Sequence, residues 1–246
     1  MSDSSDWKLS SEAVAQYRRD GYLVAPDLLS REEVAAFLRH NEEVFAGRRK
    51  TGLTTHLEDE VWARMAGHPR IKAALTALMG GRPMCIQTMM LAKMPEGRGI
   101  AIHQDSYYIV TEPETLMACW IALDDADADN GGLCVVPESH KGPLLGMDLP
   151  KDATQHASWT KDYEYRDREG KTWTVPLHSA EVRGWDRSRE VALTVPAGGA
   201  VFFTGRTIHG SHRNESSARL RRAFACHYVR EGSWVYRTDI QRQMAL

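Results

Sequence analysis

The sequence is poor in cysteine, in net charge and in long apolar runs. Only four cysteines occur in 246 residues. Cys85, Cys119, Cys134 and Cys226 lie far apart, and no Cys-x-x-Cys pair exists. That excludes the usual thiolate zinc motifs and dithiol redox motifs. Three of the four sit in apolar runs such as Ala118-Cys119-Trp120 and Leu133-Cys134-Val135, so they read as buried, reduced thiols. The formal net charge is −2, which carries no basic footprint for nucleic acid. No uninterrupted apolar run approaches the roughly 18 residues that span a bilayer. Met1 to Trp7 is polar and acidic, without the basic stretch and apolar core of a signal peptide. The expectation is a soluble cytoplasmic protein, monomer or homodimer, that acts on a small molecule and binds neither membrane nor nucleic acid.

What is present is an ordinary globular composition, with 42% hydrophobic and 26% charged residues, enough for one domain with a substantial core. The first third, about 10–80, reads as helical. Ser10 or Ser11 can cap a helix through Val14, Tyr17 and Arg18 that ends near Gly21. Tyr22-Leu23-Val24-Ala25 is strand-like and stops at Pro26. Ser30-Arg31-Glu32-Glu33 resembles a capped helix start, and Leu57 to Met79 carries a further helical pattern closed by Gly80-Gly81. Beyond Pro83 short apolar runs alternate with turn residues. Strands are predicted over Met84–Lys93, Ala101–Val110, Leu116–Leu123, Gly132–Pro137, Glu190–Val195, Ala200–Phe203 and Arg222–Val229. The fold class is therefore mainly β with flanking helices, a sandwich or jelly roll over about 84–230. Residues 151–189 are polar and aromatic without a long apolar period, and read as an inserted lid or binding loop.

Among ten histidines, His103-Gln104-Asp105 stands out. On a strand, residues two apart share a face, so His103 and Asp105 project together while Gln104 faces away. One further ligand from a neighbouring strand completes a facial triad of two histidines and a carboxylate, which leaves three positions of an octahedral iron open. His209, at the end of the Ala200–Thr204 strand, is the candidate, and His212 its competitor. Gly210 permits close backbone approach there. A cosubstrate that chelates the metal needs an anchor for its distal charge. A guanidinium suits a carboxylate, and alternation puts Arg219 and Arg221 on one face of the last strand and Arg222 on the other.

These blocks, with Ala118 to Asp125, Asn130 to Lys141 and His209 to Ala223, resemble the phytanoyl-CoA dioxygenase family of iron(II)/2-oxoglutarate oxygenases. The likeness runs from about Tyr17 to Val229. It implies a double-stranded β-helix with the metal inside one mouth, Fe(II) and 2-oxoglutarate as cofactor and cosubstrate, and O₂ as oxidant. It implies His103, Asp105 and His209 as ligands and Arg221 as the salt bridge to 2-oxoglutarate. The interval from His209 is one residue longer than usual, which keeps Arg219 open, while the Arg-Arg-Ala context favours Arg221. Ser211, Trp120, Met89 and Gln104 match positions near the cosubstrate. Alternation adds Gln87, on the face of Met89. The implied reaction is hydroxylation of a small organic molecule with release of succinate and CO₂. Related halogenases carry a small residue where Asp105 stands, so a carboxylate here argues for hydroxylation.

Tyr107 shares the predicted face of His103 and Asp105 and, with Tyr108, is a candidate for the substrate pocket. Trp159, Trp173 and Trp185 are candidates for a lid over it. His227, inward by alternation, reads as a core histidine. Two other functions are compatible with a metal on a jelly roll: a non-catalytic binding module, and an O₂-independent hydrolase or isomerase. Failure to bind 2-oxoglutarate distinguishes the first, activity without O₂ the second.

Overall fold

The computed structural model describes residues 7–45, 51–149 and 155–246. The polar N-terminal stretch up to residue 6 and the start of the expected insertion, 151–154, lie outside the described residues. Helix α1 (Ser11–Asp20) begins where Ser10 accepts the Ala13 amide and ends at Gly21, whose φ of 82° is left-handed. Strand β1 (Tyr22–Ala25) follows, then α2 (Arg31–Phe45). At its start the Ser30 hydroxyl accepts from the Glu33 amide while Glu33 accepts from the Ser30 amide, the reciprocal box expected of that tetrapeptide. The single pattern expected over Leu57–Met79 is two helices, α3 (Glu60–Ala66) and α4 (Pro69–Met79). Pro69 sits at the first turn of the second helix, where its missing N–H costs nothing.

The chain then runs through β2 (Pro83–Lys93), β3 (Ile100–His103), β4 (Thr111–Glu112), β5 (Met117–Ala122), β6 (Cys134–Val135), β7 (Met147–Asp148), β8 (Thr160–Arg166) and β9 (Thr172–His178). It continues with β10 (Glu181–Val182), β11 (Val191–Ala192), β12 (Ala200–Thr204), β13 (His209–Ser211), β14 (Arg221–Arg230), β15 (Trp234–Val235) and β16 (Met244–Ala245). Two antiparallel sheets dominate. One has the order β1-β12-β5-β14-β2-β16, the other β11-β6-β13-β3. This is the expected jelly-roll class, although the two sheets are hydrogen-bonded separately and do not close into a continuous barrel.

Alternation along β14 divides the larger sheet into two faces. Phe224, Cys226 and Tyr228 point outward to the helices, where Phe224 meets Phe37 at 4.8 Å and Trp62 at 5.1 Å. The Tyr228 hydroxyl donates to the Ala66 carbonyl of α3 at 2.8 Å. This packing holds the helices as a layer behind the sheet. Arg221, Ala223, Ala225 and His227 point the other way, toward the space between the sheets. All four cysteines are buried and free.

Two expectations are corrected. Ala101–Val110 is not one strand, because β3 ends at His103 and a tight 3₁₀ turn occupies Asp105–Tyr107. The insertion is not structureless: β8 and β9 form a paired hairpin around the turn at Gly170. Tyr163 and Tyr165 share one face with Trp173, Val175 and Leu177, a period-two signal that a search for helical periodicity passes over.

Candidate metal centre and its cavity

Sheet register brings the two histidines together. His103 on β3 and His209 on β13 are register partners, with ring centroids 4.3 Å apart. Gly210 makes this pairing tight, since a Cβ there would meet Ile102 at 2.7 Å and the Ile100 carbonyl at 2.9 Å. The close neighbour that requires glycine is thus strand β3. Asp105 arrives from the turn directly after β3. Its Oδ1 is 3.3 Å from His103 Nε2 and 3.6 Å from His209 Nε2. One donor atom from each of the three residues falls within 4.8 Å of the others.

Each histidine is oriented by a backbone carbonyl. His103 Nδ1 lies 2.7 Å from the Ala101 carbonyl and His209 Nδ1 lies 2.9 Å from that of Thr207. A carbonyl only accepts, so both protons sit on Nδ1 and both Nε2 lone pairs face Asp105. Burial pushes His209 down to about 4 against the pull of the Asp105 charge, so the ring stays neutral. For Asp105 burial acts to raise the pKa. The hydrogen bond that His227 Nε2 donates to Oδ2 opposes it, and the carboxyl is held well below its usual range. Two neutral imidazole nitrogens and one ionised carboxylate are the donor set that a divalent iron takes on one face.

His227 is the residue that sequence reasoning undervalued. It lies on the inner face of β14 as alternation predicts, yet it belongs to the site. Its Nε2 is 3.0 Å from Asp105 Oδ2. Gln87 donates its amide N–H to His227 Nδ1 at 3.2 Å, which puts the imidazole proton on Nε2, aimed at Asp105. The second carboxylate oxygen is thereby held away from the other two donors. Gln87 lines the cavity; its amide nitrogen donates to His227 and to Met89 Sδ at 3.4 Å, while its Oε1 has no hydrogen-bond partner among the described residues.

The triad lies in a cavity of about 430 Å³ between the sheets. Rows across β2, β14 and β5 build its floor. Gln87, His227 and Ala118 form one row; Met89, Ala225 and Trp120 form the next. At the far end Arg221 faces Lys93 across the β14–β2 ladder. Arg221 is 2% exposed, and its Nε and Nη1 have no hydrogen-bond partner among the described residues. Burial lowers it to about 10, still a cation at neutral pH. The other two arginines of the run are paired. Arg219 meets Asp127 at 2.8 Å and the Asp125 carbonyl at 3.1 Å, and Arg222 meets Asp124 at 2.8 Å. An unpaired buried guanidinium is costly, and a carboxylate is the partner its shape fits.

Of the other expected site residues, Met89, Trp120, Ser211, Tyr108 and Trp159 line this cavity. Gln104 and Tyr107 do not. Gln104 is fully buried on the opposite side, donating to the Arg206 carbonyl at 2.7 Å and accepting from the Leu145 amide at 2.9 Å. It pins the turn that carries Asp105 and points away from the cavity. Tyr107 is displaced because the 3₁₀ turn breaks the period-two alternation, and Tyr108 takes the place next to His103, edge-on at 5.5 Å. Trp173 and Trp185 also lie outside the cavity. His212 sits away from Asp105, paired with Glu190, and a second cluster of His212, Glu190 and Cys134 lies apart from the triad.

The phytanoyl-CoA dioxygenase (PhyH) family model matches residues 17–223. The chain belongs to the phytanoyl-CoA dioxygenase family. The peroxisomal phytanoyl-CoA dioxygenase of Bos taurus is 28% identical over 90% of this chain and 68% of its own length. Ectoine dioxygenase of Halomonas elongata is 26% identical over 95% of this chain and 74% of its own. Among solved structures, the epimerase SnoN in complex with Fe3+, alpha ketoglutarate and nogalamycin RO shares the fold, with a TM-score of 0.71 at 21% identity over 93% of this chain and 86% of that one. The carbocyclase SnoK gives 0.66 at 25% identity over 95% and 88%.

In this phytanoyl-CoA dioxygenase family member one buried cation was not legible in the sequence. Lys93 is 5% exposed, and its ammonium donates to the Gly131 carbonyl and the Ser211 hydroxyl, each at 2.9 Å, and to the His212 carbonyl. Burial and then the Arg221 charge lower it to about 7. Ser211 Oγ also accepts from the Ile100 amide at 3.2 Å. With both acceptor sites used, its own proton is free for an acceptor inside the cavity. Among the described residues, no helix is long and apolar enough to cross a membrane.

Proposed function

We propose that this chain is an Fe(II)- and 2-oxoglutarate-dependent dioxygenase that hydroxylates a small organic molecule. The observation that carries the reading is the pairing, in one cavity, of a His-Asp-His face with a buried guanidinium that lacks a counter-ion among the described residues. His103 Nε2, His209 Nε2 and Asp105 Oδ1 would hold the iron, and Arg221 with the Ser211 hydroxyl would take the distal carboxylate of 2-oxoglutarate. When bound, the metal and cosubstrate supply the oxidising chemistry, in which O₂ is consumed, 2-oxoglutarate becomes succinate and CO₂, and one oxygen atom goes to the substrate.

The chain's own part is geometric and electrostatic. Carbonyl contacts to both Nδ1 atoms fix the imidazole lone pairs on the metal position. His227 keeps Oδ2 occupied, so that Asp105 offers one oxygen and the remaining positions stay open. Trp120, Met89 and Phe203 wall the cavity with apolar surface and exclude water. A carboxylate at position 105 fills the place that a halide would need, which supports hydroxylation.

Anaerobic titration tests the proposal. Fe(II) followed by 2-oxoglutarate should develop the weak visible charge-transfer absorption of the chelate, and Asp105→Ala should abolish it along with O₂-dependent succinate formation. Metal-loaded protein that does not bind 2-oxoglutarate would favour a binding module. Turnover without O₂ would favour a hydrolase or isomerase.

A further inference from the structure

The outer half of the cavity has its own construction. An aromatic arc leads away from the metal position: Tyr108 lies 5.7 Å from Trp159, Trp159 lies 6.3 Å from Tyr163, and the Arg237 guanidinium sits 4.0 Å from the Tyr163 ring centroid. Leu53 and Ile109 extend the apolar surface. Trp159 lines the cavity and yet is 41% exposed. A large indole left open within a concave site is a surface shaped for something to lie on it.

The charges here are balanced, in contrast to the Arg221 end. Asp239 grips Arg237 through Nε at 3.0 Å and Nη2 at 2.7 Å. The remaining edge, Nη1, makes no hydrogen bond to any described residue, and Arg237 lines the cavity. The Tyr108 hydroxyl accepts from the Ala180 amide at 3.0 Å, which leaves its proton available. Lys161 Nζ lies 4.8 Å from the Tyr163 ring centroid but does not line the cavity, so the lining of the outer half offers ring faces and hydrogen-bond donors but no uncompensated positive charge.

We propose that this outer half is a stacking site for the substrate, a flat, apolar ring system that enters without net negative charge and presents an oxygen acceptor to Arg237 Nη1. The proposal rests on the iron and 2-oxoglutarate reading in assigning Arg221 to the cosubstrate. With that cation taken and Arg237 held by Asp239, no other lysine or arginine side chain lines the cavity to meet a second anion. Trp159 and Arg237 are then the residues that set specificity: the indole face selects planarity, and Nη1 selects the oxygen.

Four probes test this on the full chain loaded anaerobically with Fe(II) and 2-oxoglutarate. These are 2-naphthol, 2-naphthoate, which carries a carboxylate in place of the hydroxyl, octanoyl-CoA, which offers a flexible chain, and naphthalene as the reference without an oxygen. Calorimetry should show 2-naphthol binding at least about 10-fold tighter than either 2-naphthoate or octanoyl-CoA. Trp159→Leu should weaken 2-naphthol roughly 5- to 10-fold, the worth of a stacking partner. Arg237→Met should bring 2-naphthol down to the affinity of naphthalene. Both variants should bind 2-oxoglutarate within about 2-fold of wild type, as expected of sites with separate partners. Tighter binding of octanoyl-CoA or 2-naphthoate, or wild-type 2-naphthol affinity in Trp159→Leu, overturns the stacking site. Loss of 2-oxoglutarate binding by the wild-type protein would instead overturn the cosubstrate reading, and 2-naphthol binding to the metal-free chain would still report on the arc.

Discussion

The two ends of the cavity are built by different means. The inner end stands on paired strands: β3 and β13 set the histidines by register, and β2 and β14 set Lys93 and Arg221 the same way. Its charges are left open, with a carboxylate facing imidazole lone pairs and a guanidinium, 5.7 Å from the Trp120 ring centroid, that has no ion-pair partner among the described residues. The outer end stands on a turn, a hairpin and the C-terminal segment. Tyr108 comes from the 3₁₀ turn region, Trp159 and Tyr163 from the hairpin, and Arg237 from beyond β15. Its charges are already paired. Strand ladders hold positions to a fraction of a residue spacing, which suits groups that must converge on a metal and a small oxoacid. Hairpins and loops vary in shape without disturbing the sheets behind them, which suits the recognition of a particular substrate. The hairpin is nonetheless anchored: Tyr165 donates to the Tyr108 carbonyl at 3.3 Å, and Trp234 donates to that of Arg166 at 2.8 Å.

The sharpest way to break this contrast is to remove the unpaired cation of the inner end. Arg221→Met should weaken 2-oxoglutarate binding by about 100-fold or more, the cost of leaving a buried carboxylate without its charged partner. Arg219→Met should change it by less than about 2-fold, because that side chain serves Asp127 on the surface. Calorimetry on the metal-loaded protein reads both. Equal effects would mean that the inner anchor is misassigned.

A smaller effect is expected at His227. His227→Phe keeps the ring volume and removes the hydrogen bond to Asp105 Oδ2. Metal affinity should fall roughly 10-fold, the usual size of an outer hydrogen bond to a metal ligand. The KM for 2-oxoglutarate should stay near wild type, since Arg221 is untouched. His227→Asn, which can restore a donor, should recover part of the loss. An unchanged metal affinity would make His227 a packing residue only.

Lys93 gives an effect of similar size, and one that appears only as a dependence on pH. Its folded pKa of about 7 lies below the value near 10.4 of an exposed lysine. Between those values the unfolded chain carries a proton that the folded chain lacks, so stability rises with pH. Relative to Lys93→Met, wild-type stability should therefore climb by roughly 1–3 kcal/mol from pH 7 to pH 10, read by urea denaturation. Parallel curves for the two proteins would mean that Lys93 is charged throughout.

Much of the inner end was legible in the chain itself. The His103-Gln104-Asp105 spacing, a histidine after a short apolar strand, and an arginine run opening the last strand are local patterns, and period-two alternation already turned Arg221 and His227 inward. The helix caps at Ser10 and Ser30 and the stop at Gly21 are equally local, because hydrogen bonds between near neighbours decide them. Long-range contacts decided the rest. Nothing in the sequence near Arg219, Arg221 or Arg222 says which will find Asp127, which will find Asp124 and which will be left unpaired, since those acids lie some 90 residues away. Gln104 faces away from the triad, as alternation expects, where the Leu145 amide and the Arg206 carbonyl hold its side chain, while Tyr107 left the site because Asp105–Tyr107 is a 3₁₀ turn where alternation expected a strand. His227 joined it because Asp105, 122 positions earlier, stops where its imidazole can reach. The sequence by itself singled out the candidate donors His103, Asp105 and His209, with His212 as a rival, and the jelly-roll class, through strand patterning and local spacing. Only the tertiary structure decided which charges are satisfied, because satisfaction depends on partners that the chain brings together last.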